Sequence, residues 1–164
     1  RQRQMCIRDR YMIKLSRMAD YAILLVSRMA TNPKKLYRAQ ELVDFSSLSI
    51  TTVNKILSKL TRSKITESVR GAAGGYRLSL EAEKISVRNI IDIIDGKVAL
   101  TACAEDSDEN CNLLDFCPTQ KNWQIINNAV CEALDSVNIA EMANPEIVFD
   151  ISKNSNNKKS TVIR

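Results

Sequence analysis

The sequence contains no histidine. That absence removes the commonest general base, any cysteine-histidine nucleophile pair and the commonest nitrogen ligand of metals, so an enzymatic role has no support. No run approaches the roughly 18–20 uninterrupted apolar residues of a membrane span. Near the start, no basic flank, apolar block and small-residue cleavage site stand together. A cytoplasmic protein is expected, with no membrane partner and no small-molecule substrate. Glycine is scarce too, at four residues, and all but one fall within Gly71–Gly75.

The 164 residues, 45% of them hydrophobic, can bury one core. One compact unit with an appendage follows, compatible with an obligate dimer. The net charge of +5 conceals a partition: from Met12 to Leu80, 12 Lys and Arg face 4 Asp and Glu, whereas from Glu81 to Pro145, 4 face 12. A basic front half suits DNA, where each neutralised phosphate releases counterions. An ordinary solvated basic face is the alternative.

Residues 1–11 are charged and polar without an amphipathic period. They read as a non-native or disordered leader ahead of Met12, which leaves Cys6 without a function. Apolar residues then recur at Leu15, Met18, Ala22, Leu25, Val26 and Met29, predicting a helix that ends before Asn32-Pro33. A short helix from about Arg38 to Phe45 buries Ala39, Leu42 and Val43, with a turn at Ser46-Ser47-Leu48. Ser49 caps a third helix whose apolar stripe is Ile50, Val53, Ile56, Leu57 and Leu60. Its other face carries Thr51, Thr52, Asn54, Lys55, Ser58, Lys59 and Arg62, as a helix in a major groove requires. Residues 65–79 form a hairpin with Arg70 and Arg77, its glycines allowing positive φ or close approach to another molecule. The order of these elements is that of a winged helix-turn-helix.

Ser86 caps a further helix with Val87, Ile90, Ile91 and Ile94 inward, and Gly96 stops it. Between Ala99 and Cys117 no period survives, in a stretch too long for an idle connection. Pro118 suits the first turn of a long final helix carrying Trp123, Ile126, Val130, Ala133, Leu134 and Val137 on one side. That face can meet its twin in a dimer or pack within its own subunit. The expected fold is mainly α with a small β-hairpin wing: residues 12–96 a winged helix-turn-helix DNA-binding domain, residues 97–145 a cysteine loop and dimerisation helix, and residues 146–164 a disordered tail.

Seven residues separate Cys103 from Cys111 and five separate Cys111 from Cys117. Structural zinc takes four ligands in close pairs, and neither such a pair nor a histidine exists. Three thiolates on a loop can wrap an iron-sulfur cluster, which favours sulfur ligands. Three free thiols, a regulatory disulfide with one spare, and adventitious zinc stay open on spacing alone. Cys131, inside the final helix, reads as packing.

With KLSRMADYAI at the start, VRGAAGGYRLS at the wing, ISVRNIIDIIDG, and the cysteine loop running into CPTQKNW, the chain resembles the Rrf2 family of bacterial regulators from Met12 to about Asn144. The opening and the LTAC, CPTQKNWQIIN and IAEMA segments are most similar to the branch regulating SUF iron-sulfur assembly. The resemblance implies a homodimer on a double-stranded DNA operator and a cluster, [2Fe-2S] or [4Fe-4S], on Cys103, Cys111 and Cys117. IscR-like members take a histidine three residues after the last cysteine as fourth ligand; Gln120 stands there and excludes it. NsrR-like members use an aspartate of the first helix, donated across the dimer, and Asp20 stands at that place, with a solvated carboxylate as the rival reading. The resemblance also places Thr51, Thr52 and Lys55 in the major groove and Arg70 in the minor groove. Three functions follow as expectations: a cluster-responsive repressor of SUF genes, a nitric oxide or redox sensor of the NsrR type, and a cluster-free thiol-switch DNA-binding protein.

Overall fold

The structure, a computed structural model, describes residues 15–71, 73–101 and 117–144. The predicted leader, the cysteine loop with Cys103 and Cys111, and the predicted tail lie outside the described residues. Ser16 opens α1 (Arg17–Ala30), its hydroxyl accepting the Ala19 amide. The helix buries Ala19, Ala22, Ile23, Leu25, Val26 and Met29. Two of these, Ala19 and Ile23, widen the predicted stripe, while Leu15 precedes the helix and is exposed. Next come α2 (Ala39–Ser46) and α3 (Ile50–Arg62), joined by a turn in which Ser47 takes a left-handed φ of 56°. Its amide closes on the Val43 carbonyl at 2.8 Å, satisfying one of the carbonyls that a helix end leaves open.

Ser49 caps α3 as expected, accepting the Thr52 amide at 3.2 Å. Val53, Ile56, Leu57 and Leu60 are buried. Ile50, expected in that stripe, is 43% exposed. As the first residue of the helix it stands outside the core that its later turns enter.

The wing is an antiparallel hairpin of β1 (Thr66–Val69) and β2 (Gly75–Leu78). Tyr37 extends it: its amide and carbonyl exchange two 2.8 Å hydrogen bonds with Tyr76. A Cβ on Gly75 would stand 2.7 Å from the Tyr37 carbonyl oxygen. The close approach that this glycine permits is thus to the chain itself, not to another molecule. Gly71, at φ +122°, supplies the positive φ of the turn.

A single 3-10 turn (Ala82–Lys84) leads into α4 (Val87–Asp95), capped by Ser86 and burying Val87, Ile90, Ile91 and Ile94 as predicted. The long helix α5 (Gln120–Asp135) begins two residues after Pro118, which lies in the preceding turn instead of the helix. After it, α6 (Ile139–Ala143) returns to the core, packing on α1. Ile139 is fully buried, and its amide bonds the Ile85 carbonyl at 2.9 Å. The division expected after residue 96 therefore separates α6 from the core it completes. Among the described residues no helix is long and apolar enough to cross a membrane.

Candidate nucleic-acid interface and cysteine site

The side of α3 away from the core leaves Thr51, Asn54, Lys55, Ser58 and Arg62 exposed. Thr51 and Lys55 are four residues apart and share one face. Thr52 is half-buried, and its hydroxyl lies 2.8 Å from that of Ser49, which commits it to the helix cap. Lys59 departs from the sequence expectation. Its ammonium group donates to the Ile94 carbonyl at 2.5 Å, at the C-terminus of α4. That carbonyl is one of the four which an α-helix cannot satisfy itself, at the negative end of the helix dipole.

Arg70 is exposed at the end of β1. Arg77, also on the wing, faces Glu67 across the strand pair and is ion-paired to it. Between wing and helix, Ser58, Thr61, Arg62, Ser68 and Tyr76 line a depression of about 280 Å³. The result is a polar, cationic surface formed by one helix and one hairpin, both held by the same core.

Cys117 is half-exposed just before α5, with its sulfur 3.4 Å from the Thr119 hydroxyl. That hydroxyl first, with the neighbouring Thr119 and Gln120 amides, holds its thiol below the ordinary range. The thiolate, the form that binds metal, is thereby favoured. Asp20, in the first turn of α1, is exposed, and its carboxylate makes no hydrogen bond or ion pair among the described residues. One turn earlier the Ser16 hydroxyl donates to Asp95 at 2.6 Å, fixing this end of α1 beside the end of α4 from which the cysteine loop departs. No three potential ligands converge among the described residues.

Comparison with known proteins sets these features in a lineage. The model of the Rrf2 family, iron-dependent transcriptional regulators, matches residues 15–145.

The chain belongs to the Rrf2 family.

Among its relatives, protein aau3 of Rhizobium meliloti is 30% identical over 139 residues, covering 84% of this chain and 90% of that protein. The HTH-type transcriptional regulator IscR of Vibrio vulnificus is 28% identical over 143 residues, covering 85% and 83%. Staphylococcus aureus CymR in its oxidized form superposes with a TM-score of 0.62 at 25% identity, over 84% of this chain and all of that one. The chain is thus a DNA-binding transcriptional regulator with a winged-helix fold, from a family of regulators and not of enzymes.

For this Rrf2 protein, sequence reasoning missed one residue at the root of the cysteine loop. Asn127 is buried on α5. Its amide oxygen accepts the Leu100 amide at 3.0 Å, and its nitrogen donates to the Val98 carbonyl at 3.3 Å. Cys131, one turn on, is buried against the same carbonyl at 3.7 Å, a packing role as expected. The signal available was a polar residue and a cysteine at i, i+4, in line with Leu134 one turn further on.

Proposed function

We propose that this regulator is a cluster-responsive repressor of SUF iron-sulfur assembly genes, acting in the cytoplasm as a homodimer on its operator. The observation that carries the reading is Cys117: a thiol with its sulfur 3.4 Å from the Thr119 hydroxyl and held below the ordinary range, in a sequence with two more cysteines in the loop before it. Likeness to IscR regulators supports the same reading. Cys103, Cys111 and Cys117 are the cluster ligands, [2Fe-2S] or [4Fe-4S], with Asp20 the fourth. When bound, the cluster supplies iron-thiolate bonds that fix the loop in one geometry and that iron shortage or oxidation can break.

At the DNA, Lys55 and Thr51 read base edges in the major groove from the exposed face of α3, and Thr52 steadies the helix start. Arg70 enters the narrow, electronegative minor groove. Two copies joined through α5 set the two recognition helices one helical turn of DNA apart.

A nitric oxide or redox-sensing role is the second reading, favoured by Asp20, whose unpartnered carboxylate sits where NsrR-like regulators draw their fourth ligand. A cluster-free thiol switch is the third, and likeness to CymR in an oxidized form favours it. Iron and acid-labile sulfide determined on protein purified without oxygen test the proposal. Stoichiometric iron and sulfide support it; colourless protein that resists reconstitution leaves the thiol switch.

A further inference from the structure

The C-terminus of α4 gathers more of the molecule than a helix end needs. Ser16 of α1 bonds Asp95, and Lys59 of α3 bonds the Ile94 carbonyl. The Asp92 carboxylate accepts the Val98 amide at 3.0 Å. Gly96, at φ +101°, turns the chain out of α4, and Val98 and Leu100 are then held by Asn127 of α5. Three residues after Leu100 comes Cys103. The five residues from Gly96 to Leu100 thus form a stem, the root of the cysteine loop, tied to α4 and α5. Lys59 is the polar side chain of the recognition helix that reaches its base.

We propose that Lys59 is a positioning residue that couples the cysteine loop to the DNA-reading face of α3. This rests on the reading of the loop as the cluster site. Lys59 lies one turn beyond Lys55 on the same helix, so a shift of the Ile94 carbonyl moves the anchor against which α3 is set. With the loop fixed, the stem is fixed, the last turn of α4 keeps its carbonyl on the Lys59 ammonium, and α3 holds one orientation. With the loop released, the stem loosens and that anchor moves. The carrier is a run of hydrogen bonds from Leu100 through Asn127 and Val98 to Asp92, continued along the last turn of α4 to the Ile94 carbonyl and from there to Lys59. Coupling of this kind is reciprocal, so DNA must act back on the stem.

The test uses the full-length dimer with Lys59→Met, which keeps the aliphatic stem and removes the donor, and Lys59→Arg, which retains a donor. Operator affinity is measured by fluorescence anisotropy for cluster-loaded and cluster-free protein. The wild-type ratio between the two forms is expected on the order of tenfold or more. Lys59→Met should bring that ratio close to one while keeping the cluster's visible spectrum, and Lys59→Arg should restore most of it. Equal weakening of both forms in Lys59→Met, with the ratio intact, would overturn the proposal and leave Lys59 a helix-end contact. Hydrogen exchange of the Val98 and Leu100 amides needs no cluster. Adding operator DNA to cluster-free protein should slow it in wild type and in Lys59→Arg but not in Lys59→Met, and equal slowing in all three overturns the coupling. Wild-type protein that never takes up iron and sulfide would refute the cluster reading and leave this exchange measurement decisive for Lys59.

Discussion

The Thr119 hydroxyl lies 3.4 Å from the Cys117 sulfur and leads the causes that hold the thiol below its ordinary range. A lowered pKa means that the thiolate persists to lower pH than in a free cysteine, so alkylation of Cys117 should rise through a midpoint displaced downward. Thr119→Val removes the leading contribution, and that midpoint should move up; mass-resolved iodoacetamide labelling against pH reads the shift. Asp20 is exposed and unpartnered, so its replacement by Ala should loosen the cluster and leave thermal unfolding of the cluster-free chain unchanged. Cluster absorbance identical to wild type in Asp20→Ala would remove this carboxylate from the site. Lys55→Ala should flatten base preference across a set of operator variants, as loss of a direct base contact does. Uniform weakening across that set would make Lys55 a phosphate contact instead.

At the scale of elements, the parts fixed by local chemistry were readable from the residues. Ser49 and Ser86 cap their helices as expected, and the four apolar residues predicted inward on α4 are all buried. The glycine cluster marked the wing turn correctly, although Gly75 serves an approach to Tyr37, a partner 38 positions away that periodicity cannot foresee. For the same reason Lys59 read as one more cation on a polar face: its partner, the end of α4, is reached only after folding. On α5 the predicted apolar stripe divides. Leu134, and Val137 just past the end of the helix, pack toward the core, whereas Trp123 and Ile126 stay exposed and the buried positions are Asn127 and Cys131. A helix that turns its polar side inward leaves its apolar side for another surface. Ile126, 46% exposed, should therefore be a dimer contact. Ile126→Glu is expected to shift the protein to monomer in sedimentation equilibrium and to weaken operator binding by more than tenfold, and an unchanged dimer would assign association to another face.

The whole molecule separates its charges. The 12 Lys and Arg between Met12 and Leu80 share a stretch of sequence with α3 and the wing, and the acidic residues from Glu81 to Pro145 share one with the cysteine loop and α5. A basic segment of this kind favours a phosphate surface. The candidate site was legible unequally. Helix and wing elements follow from pattern and order, while the bond from α3 to the end of α4 joins positions 35 residues apart in sequence. The central claim, that cysteine-bound iron and sulfide govern the grip on DNA, is tested most directly by operator affinity at fixed salt. The comparison is between anaerobically reconstituted protein, the same protein after chelation, and the variant with Cys103, Cys111 and Cys117 all changed to Ser. Tight binding in the first and matched, weaker binding in the other two is the predicted result; equal affinity in all three would contradict it.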